Sequence, residues 1–213
     1  MNNFLKKPHS GFSLIEVAIA VVIIGIITGM ALKGRDLIHT VKLRAVINQV
    51  NTTKIAVQMF IDKYGAFPGS LNNASEIIAD NITNGNGGDA ISTKEEASIF
   101  WNQLIGAGMI SFEMNSKFPT SKLGGIFTVS SNVDGFPGTW LILCGSTTNN
   151  KNFTGIMSPE DARFIDKNSD TGEPTTGDVR VLKASNASGE CIVGDKYNLK
   201  NKSNDCVLLF KLQ

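Results

Sequence analysis

Residues 11–32 read Gly-Phe-Ser-Leu-Ile-Glu-Val-Ala-Ile-Ala-Val-Val-Ile-Ile-Gly-Ile-Ile-Thr-Gly-Met-Ala-Leu, and this stretch decides the fold. Wound as a helix at ~1.5 Å per residue, residues 12–32 span about 32 Å, enough to cross a hydrocarbon core of ~30 Å. Lys6 and Lys7 precede the run, and Lys33 and Arg35 follow it. The positive-inside rule then keeps the N-terminus cytoplasmic and sends the rest outward. A buried helix of a soluble protein is shorter than this. A conventional secretory signal has a shorter apolar core closed by a small-residue cleavage site, and no such site precedes Lys33.

Glu16 is the only ionisable residue in the run. A carboxylate inside an apolar helix is expensive and marks a functional position. If the chain were cut after Gly11, Phe12 would carry a new ammonium group. Glu16, four residues on, would share its helical face near the positive end of the helix dipole. Within one chain or between neighbours, the two charges could offset each other's desolvation.

Gly-Phe-Ser-Leu-Ile-Glu at 11–16, behind a short basic leader and ahead of an apolar helix, resembles the recognition site of type IV prepilins and type II secretion pseudopilins. The resemblance implies a leader over 1–11, removed by a prepilin peptidase between Gly11 and Phe12, and N-methylation of Phe12. It makes Glu16 the residue that sets subunit register in a filament. It implies a bacterial inner-membrane protein, single-pass, with its head in the periplasm until it joins a pseudopilus or pilus. The implied partners are the peptidase, other pilin-like subunits and an inner-membrane assembly platform. The leading function is a pseudopilin of type II secretion, exporting proteins. The alternative is a type IV pilin, major or minor, in adhesion, motility or DNA uptake. A helix-bending proline frequent in the family is missing here, and Gly25, Gly29 and Gly34 are the nearest substitutes for local bending. Gly25 and Gly29 also form a GxxxG, read here as flexibility rather than a dimer face.

Composition narrows the field further. Net charge is +1 with 18% charged residues and no basic stripe, so no nucleic-acid partner is expected. The cysteines, Cys144, Cys191 and Cys206, form no CxxC pair and lie far from His9 and His39, which argues against zinc. Neither a His beside a Ser or Cys nucleophile, nor HExxH, nor a phosphate-cradling glycine loop occurs, so an enzyme is not expected.

Beyond Leu32 the helix should continue over 33–64 as an amphipathic segment. Leu43, Val46 or Ile47, Val50, Val57, Phe60 or Ile61, and Tyr64 recur at helical spacing, and Gly65 and Pro68 end the element. Residues 65–213 form the head. Residues 69–93 are rich in Gly, Asn, Ser and Thr, and Asn-Gly-Asn-Gly-Gly at 84–88 reads as an exposed loop. A second helix is predicted over 93–106, with Ser92 and Glu95 as its capping box and Gln103 as a polar interruption of its apolar face. Strands are predicted at 126–130 and 139–144, flanking a turn-rich 132–138, and again near 178–182 and 206–212. Ser158-Pro159 opens a short third helix. The implied class is α+β: a long N-terminal transmembrane and amphipathic helix packed on a small antiparallel sheet, as in pilin heads.

Two further sites are expected. Asp166, Asn168 and Asp170 alternate like the start of a calcium loop, with Asp178 as a further ligand. No cofactor is required, and calcium is the one ion this pattern could take; the bland alternative is a polar turn. The segment between Cys191 and Cys206 is too polar to hold itself by packing. A Cys191–Cys206 disulfide is the first pairing, and many type IV pilins close a C-terminal loop in this way. Cys144 with Cys206 is the second, because Cys144 ends a strand that could neighbour the strand at Cys206.

Overall fold

The computed structural model describes residues 11–88 and 90–213, so the expected leader lies outside the described residues except for Gly11. The chain divides into two units, Met1–Val41 and Lys42–Gln213. Helix α1 (Leu14–Tyr64) contributes to both, and it is helical through Gly25, Gly29 and Gly34.

In the first unit, every described large apolar side chain is exposed, from 49% at Ile23 to 91% at Leu14. Among the described residues of this unit, none covers these side chains. Among the described residues, α1 is the one helix long and apolar enough to cross a membrane.

In the second unit, burial along α1 begins at Leu43, ten residues beyond Lys33. Leu43, Val46, Val50, Val57 and Phe60 are buried, as their spacing requires, and Ala56 and Thr53 join them. The head adds α2 (Ala74–Ile77), α3 (Lys94–Gly106) and α4 (Pro159–Ser169). Its strands are β1 (Met114–Asn115), β2 (Phe118–Pro119), β3 (Ile126–Val133), β4 (Phe136–Cys144), β5 (Thr147–Thr148) and β6 (Asn152–Phe153). After α4 come β7 (Val179–Lys183), β8 (Ile192–Val193), β9 (Lys196–Tyr197) and β10 (Cys206–Lys211). The main sheet is antiparallel in the order β3-β4-β10-β7, so the C-terminal strand is central. Its central strands are buried on both faces: Leu141, Ile142, Leu143, Val207, Leu208, Leu209 and Phe210 all have no exposed surface. Each such side chain contributes ~1.5–3 kcal/mol by leaving water.

Two local expectations shift. The β3–β4 hairpin is tighter than a 132–138 loop, because Asp134 (φ 49°) and Gly135 (φ 82°) close it as a two-residue turn and Asn132 is absorbed in a bulge. The α3 capping box is Thr93 with Glu96, one residue after the expected Ser92 and Glu95: Thr93 Oγ1 accepts from Glu96 N, and the Glu96 carboxylate accepts from Thr93 N and Ser92 N. Those bonds, that from Ser92 N foremost, hold the Glu96 carboxyl below its ordinary range. The polar 69–93 segment is anchored by buried Leu71, Ala74, Ile82 and Ile91, while 84–88 within it lies largely exposed, as expected.

Gln103, expected as an interruption, is the anchor. Its Oε1 accepts from Gly69 N at 2.7 Å, and its Nε2 donates to Leu71 O at 2.9 Å and Thr83 O at 3.0 Å. Gln49 does the same on α1: its Nε2 donates to Thr120 O and its Oε1 accepts from Lys122 N, both at 3.0 Å. Both glutamines are buried, and both satisfy loop backbone, fully buried at Gly69 N and Leu71 O and part-buried at Thr83, Thr120 and Lys122.

Candidate functional site

The N-terminal motif begins the described chain. Phe12 is 87% exposed, and Ser13 precedes the first residue of α1. Ser13 N donates to Glu16 Oε2 at 2.9 Å, and Ser13 Oγ accepts from Ile15 N at 3.4 Å. Glu16 therefore caps its own helix, as the third residue of a capping box does. Residue spacing had assigned Glu16 to Phe12 and given Ser13 no role. Ser-x-x-Glu at 13–16 is the local sequence signal for this cap. Among the described residues, a Cβ added at Gly11 would meet nothing within 4 Å, and the same holds for Gly25, Gly29 and Gly34.

The C-terminal half of the head is organised around the cystine. Cys191 and Cys206 are joined by a disulfide, with Cα atoms 5.5 Å apart, and both are fully buried. Cys144 is free and buried, and burial pushes its thiol pKa up to about 12. The strand register explains why Cys144 is not the partner of Cys206. Leu143 faces Leu208, so Cys144 stands one step on, across from Val207. Side chains alternate between faces, so Cys206 points to the opposite side of the sheet.

Asp205, beside the cystine, accepts from Asn201 Nδ2 (2.9 Å), Ser188 N (3.0 Å) and Gly189 N (2.9 Å). These bonds, Asn201 first, hold its carboxyl below the ordinary range. Sequence reading missed it, because Ser188 and Gly189, two of its three donors, lie seventeen and sixteen residues away.

The expected calcium ligands are not brought together. Helix α4 runs to Ser169, so Asp166 and Asn168 sit two residues apart on a helix and face different ways. Asp166 is fully buried, accepting from Tyr197 Oη at 2.6 Å and Gly172 N at 3.1 Å. Burial pushes its carboxyl pKa up and pushes that of Tyr197 up as well. Asn168 donates to Phe164 O at 2.7 Å, and Asp170 Oδ2 accepts from Asp178 N and Val179 N. Among the described residues, no three His, Cys, Asp or Glu side chains are grouped as a metal ion would require. Both Asp166 oxygens and Asp170 Oδ2 are thus committed to the protein's own amide and hydroxyl groups.

The surface also carries a polar cleft of about 610 Å³ between the β3–β4 turn, the 150–153 segment and β7, lined by Asn132, Asp134, Lys151 and Lys183 among others. It has no exposed aromatic platform. Trp101, on α3, is fully buried edge-on to Phe100, with ring centroids 5.0 Å apart.

Among curated proteins, none matches this chain in sequence. The solved structure of the major type IV pilin PilA1 from Clostridium difficile is similar at 13% identity, over 83% of this chain and 97% of that one, with a TM-score of 0.39. The family described as the prokaryotic N-terminal methylation motif matches residues 6–32, which include Gly11, Phe12 and Glu16. The chain thus carries, at its N-terminus, the methylation motif of prepilin-type proteins.

Proposed function

We propose that this chain is a structural, non-enzymatic subunit of a pilus-type filament. Its leader is removed between Gly11 and Phe12, Phe12 is N-methylated, and Glu16 sets the register of assembly. The observation that supports this reading is one of placement. The methylation motif at 6–32 overlaps the apolar half of α1, whose described large side chains are exposed and whose one carboxylate is Glu16. Such a surface is stable in a bilayer, and it is equally stable against copies of itself. The head, from Lys42 onward, has its own core and stays outside the membrane. Prepilin peptidase, other pilin-like subunits and an inner-membrane platform are the partners this role requires.

The narrower role is that of a type II secretion pseudopilin, whose short rod pushes folded substrates outward. A type IV pilin shares every feature above, and filament length with protein export separates the two. Deleting the gene should stop export and leave long surface fibres unchanged if the chain is a pseudopilin; the reverse outcome assigns it to a pilus.

Intact-mass analysis of the chain from membranes and from sheared filaments tests the shared part. The mature mass should begin at Phe12 and carry one added methyl group. Gly11→Val should leave a full-length precursor in the membrane, because side-chain bulk at Gly11 blocks the close approach a peptidase needs. Normal trimming of that variant removes the prepilin-type assignment.

A further inference from the structure

Glu16 is held at one carboxylate oxygen. Oε2 accepts from Ser13 N at 2.9 Å, while Oε1 takes no hydrogen bond from the described residues. Ser13 Oγ accepts from Ile15 N, so the first turn of α1 is capped by both side chains. The bond joins two groups that are each expensive in hydrocarbon: a carboxylate, and a backbone N–H with no partner inside the helix. It also fixes the Glu16 rotamer before any neighbour arrives.

We infer that Ser13 is a positioning residue for assembly: its backbone N–H pins Glu16 Oε2 and leaves Oε1 as the acceptor for the Phe12 ammonium of a second copy of this chain. The inference rests on the filament reading above. A pinned carboxylate has little rotamer freedom left to lose on docking, so contact is made at a smaller entropic cost. Because the donor is backbone, any residue except proline at position 13 supplies it. The cap also accepts an uncharged amide oxygen, whereas the ammonium contact needs the charge, so Gln at position 16 separates the two roles.

Full-length Ser13→Gly, Ser13→Pro and Glu16→Gln chains test this when co-expressed with wild type in membranes containing the peptidase. Ser13→Gly keeps the N–H and Ser13→Pro removes it. Incorporation into sheared filaments should fall about fivefold for Ser13→Pro relative to Ser13→Gly, the equivalent of the ~1 kcal/mol carried by one cap. Intact mass shows whether both are cut. Equal incorporation of two cut variants overturns the role of Ser13 and leaves the filament reading standing. Wild-type chain that is uncut and missing from filaments overturns both.

If proline blocks cutting, amide exchange of the uncut chain in zwitterionic micelles decides. Ser13 N–H should exchange about fivefold faster in Glu16→Val than in wild type, while Glu16→Gln stays close to wild type. Equal exchange in all three sinks the cap, and with it the inference.

Discussion

Replacing Gln103 with leucine tests how much of the head depends on one buried amide. The change is nearly isosteric, so it leaves no large cavity. It deletes the acceptor for Gly69 N and the donors to Leu71 O and Thr83 O. The first two of these bonds are fully buried. Two buried backbone groups without partners cost ~1–3 kcal/mol each, and the added apolar surface returns ~1 kcal/mol, so the net loss is about 3 kcal/mol. A domain of this size shifts by ~2–4 °C per kcal/mol, giving a melting temperature lower by about 6–12 °C. Near-UV circular dichroism of the full chain in micelles reads the change, and urea titration at 25 °C reads the free energy directly. Amide exchange at Gly69, whose N–H loses its acceptor, should accelerate before that of the sheet. A melting temperature within 2 °C of wild type would refute the argument that Gln103 anchors the 69–93 segment.

Other consequences follow from the cystine, the carboxylates and the N-terminal motif. Cys191→Ser with Cys206→Ser opens a loop whose ends are 15 residues apart, which should cost ~3 kcal/mol by chain entropy and lower the urea midpoint accordingly. Cys144 should stay unmodified by iodoacetamide at pH 8 in folded protein and react at once in denaturant; a fast-reacting thiol in the native chain contradicts its burial and its raised pKa. Asp205 has a folded pKa below its unfolded value, so its stabilisation is present above the unfolded pKa and lost as pH falls through the folded one. Asp205→Asn should therefore flatten the acid side of the stability profile, and an unchanged slope below about pH 4 would count against it. Asp166 runs the other way: its carboxyl is raised by burial, so its unfavourable contribution is relieved as pH falls through the folded pKa toward the unfolded value. Glu16→Val should insert and be cut with a folded head, yet assemble poorly; wild-type filament yield would contradict its role.

The N-terminal segment was legible because everything that matters there is contiguous. Length, apolarity, one isolated carboxylate and a glycine before it are properties of neighbouring residues. A helix translates such spacing directly into geometry, and even the Ser13 cap is written in four consecutive letters. The amphipathic face from Leu43 to Phe60 was legible for the same reason. Hairpin strands β3 and β4 were nearly so, because a two-residue Asp-Gly turn is itself a local signal.

The head's decisive features depend on residues far apart in the chain. Only the fold inserts β10 between β4 and β7, and that register turns Cys144 and Cys206 to opposite faces. Local pattern made Asp166, Asn168 and Asp170 look like a loop of ligands. The buried Tyr197 hydroxyl, brought from the cystine segment, instead holds Asp166 on a helix that runs on to Ser169. Gln103 looked like a polar interruption of an apolar face, and Gln49 is one of the polar residues set between the apolar positions of α1. Their partners at Thr120, Lys122, Gly69, Leu71 and Thr83 become neighbours only after folding, when buried backbone must find a donor or acceptor wherever one has come within reach.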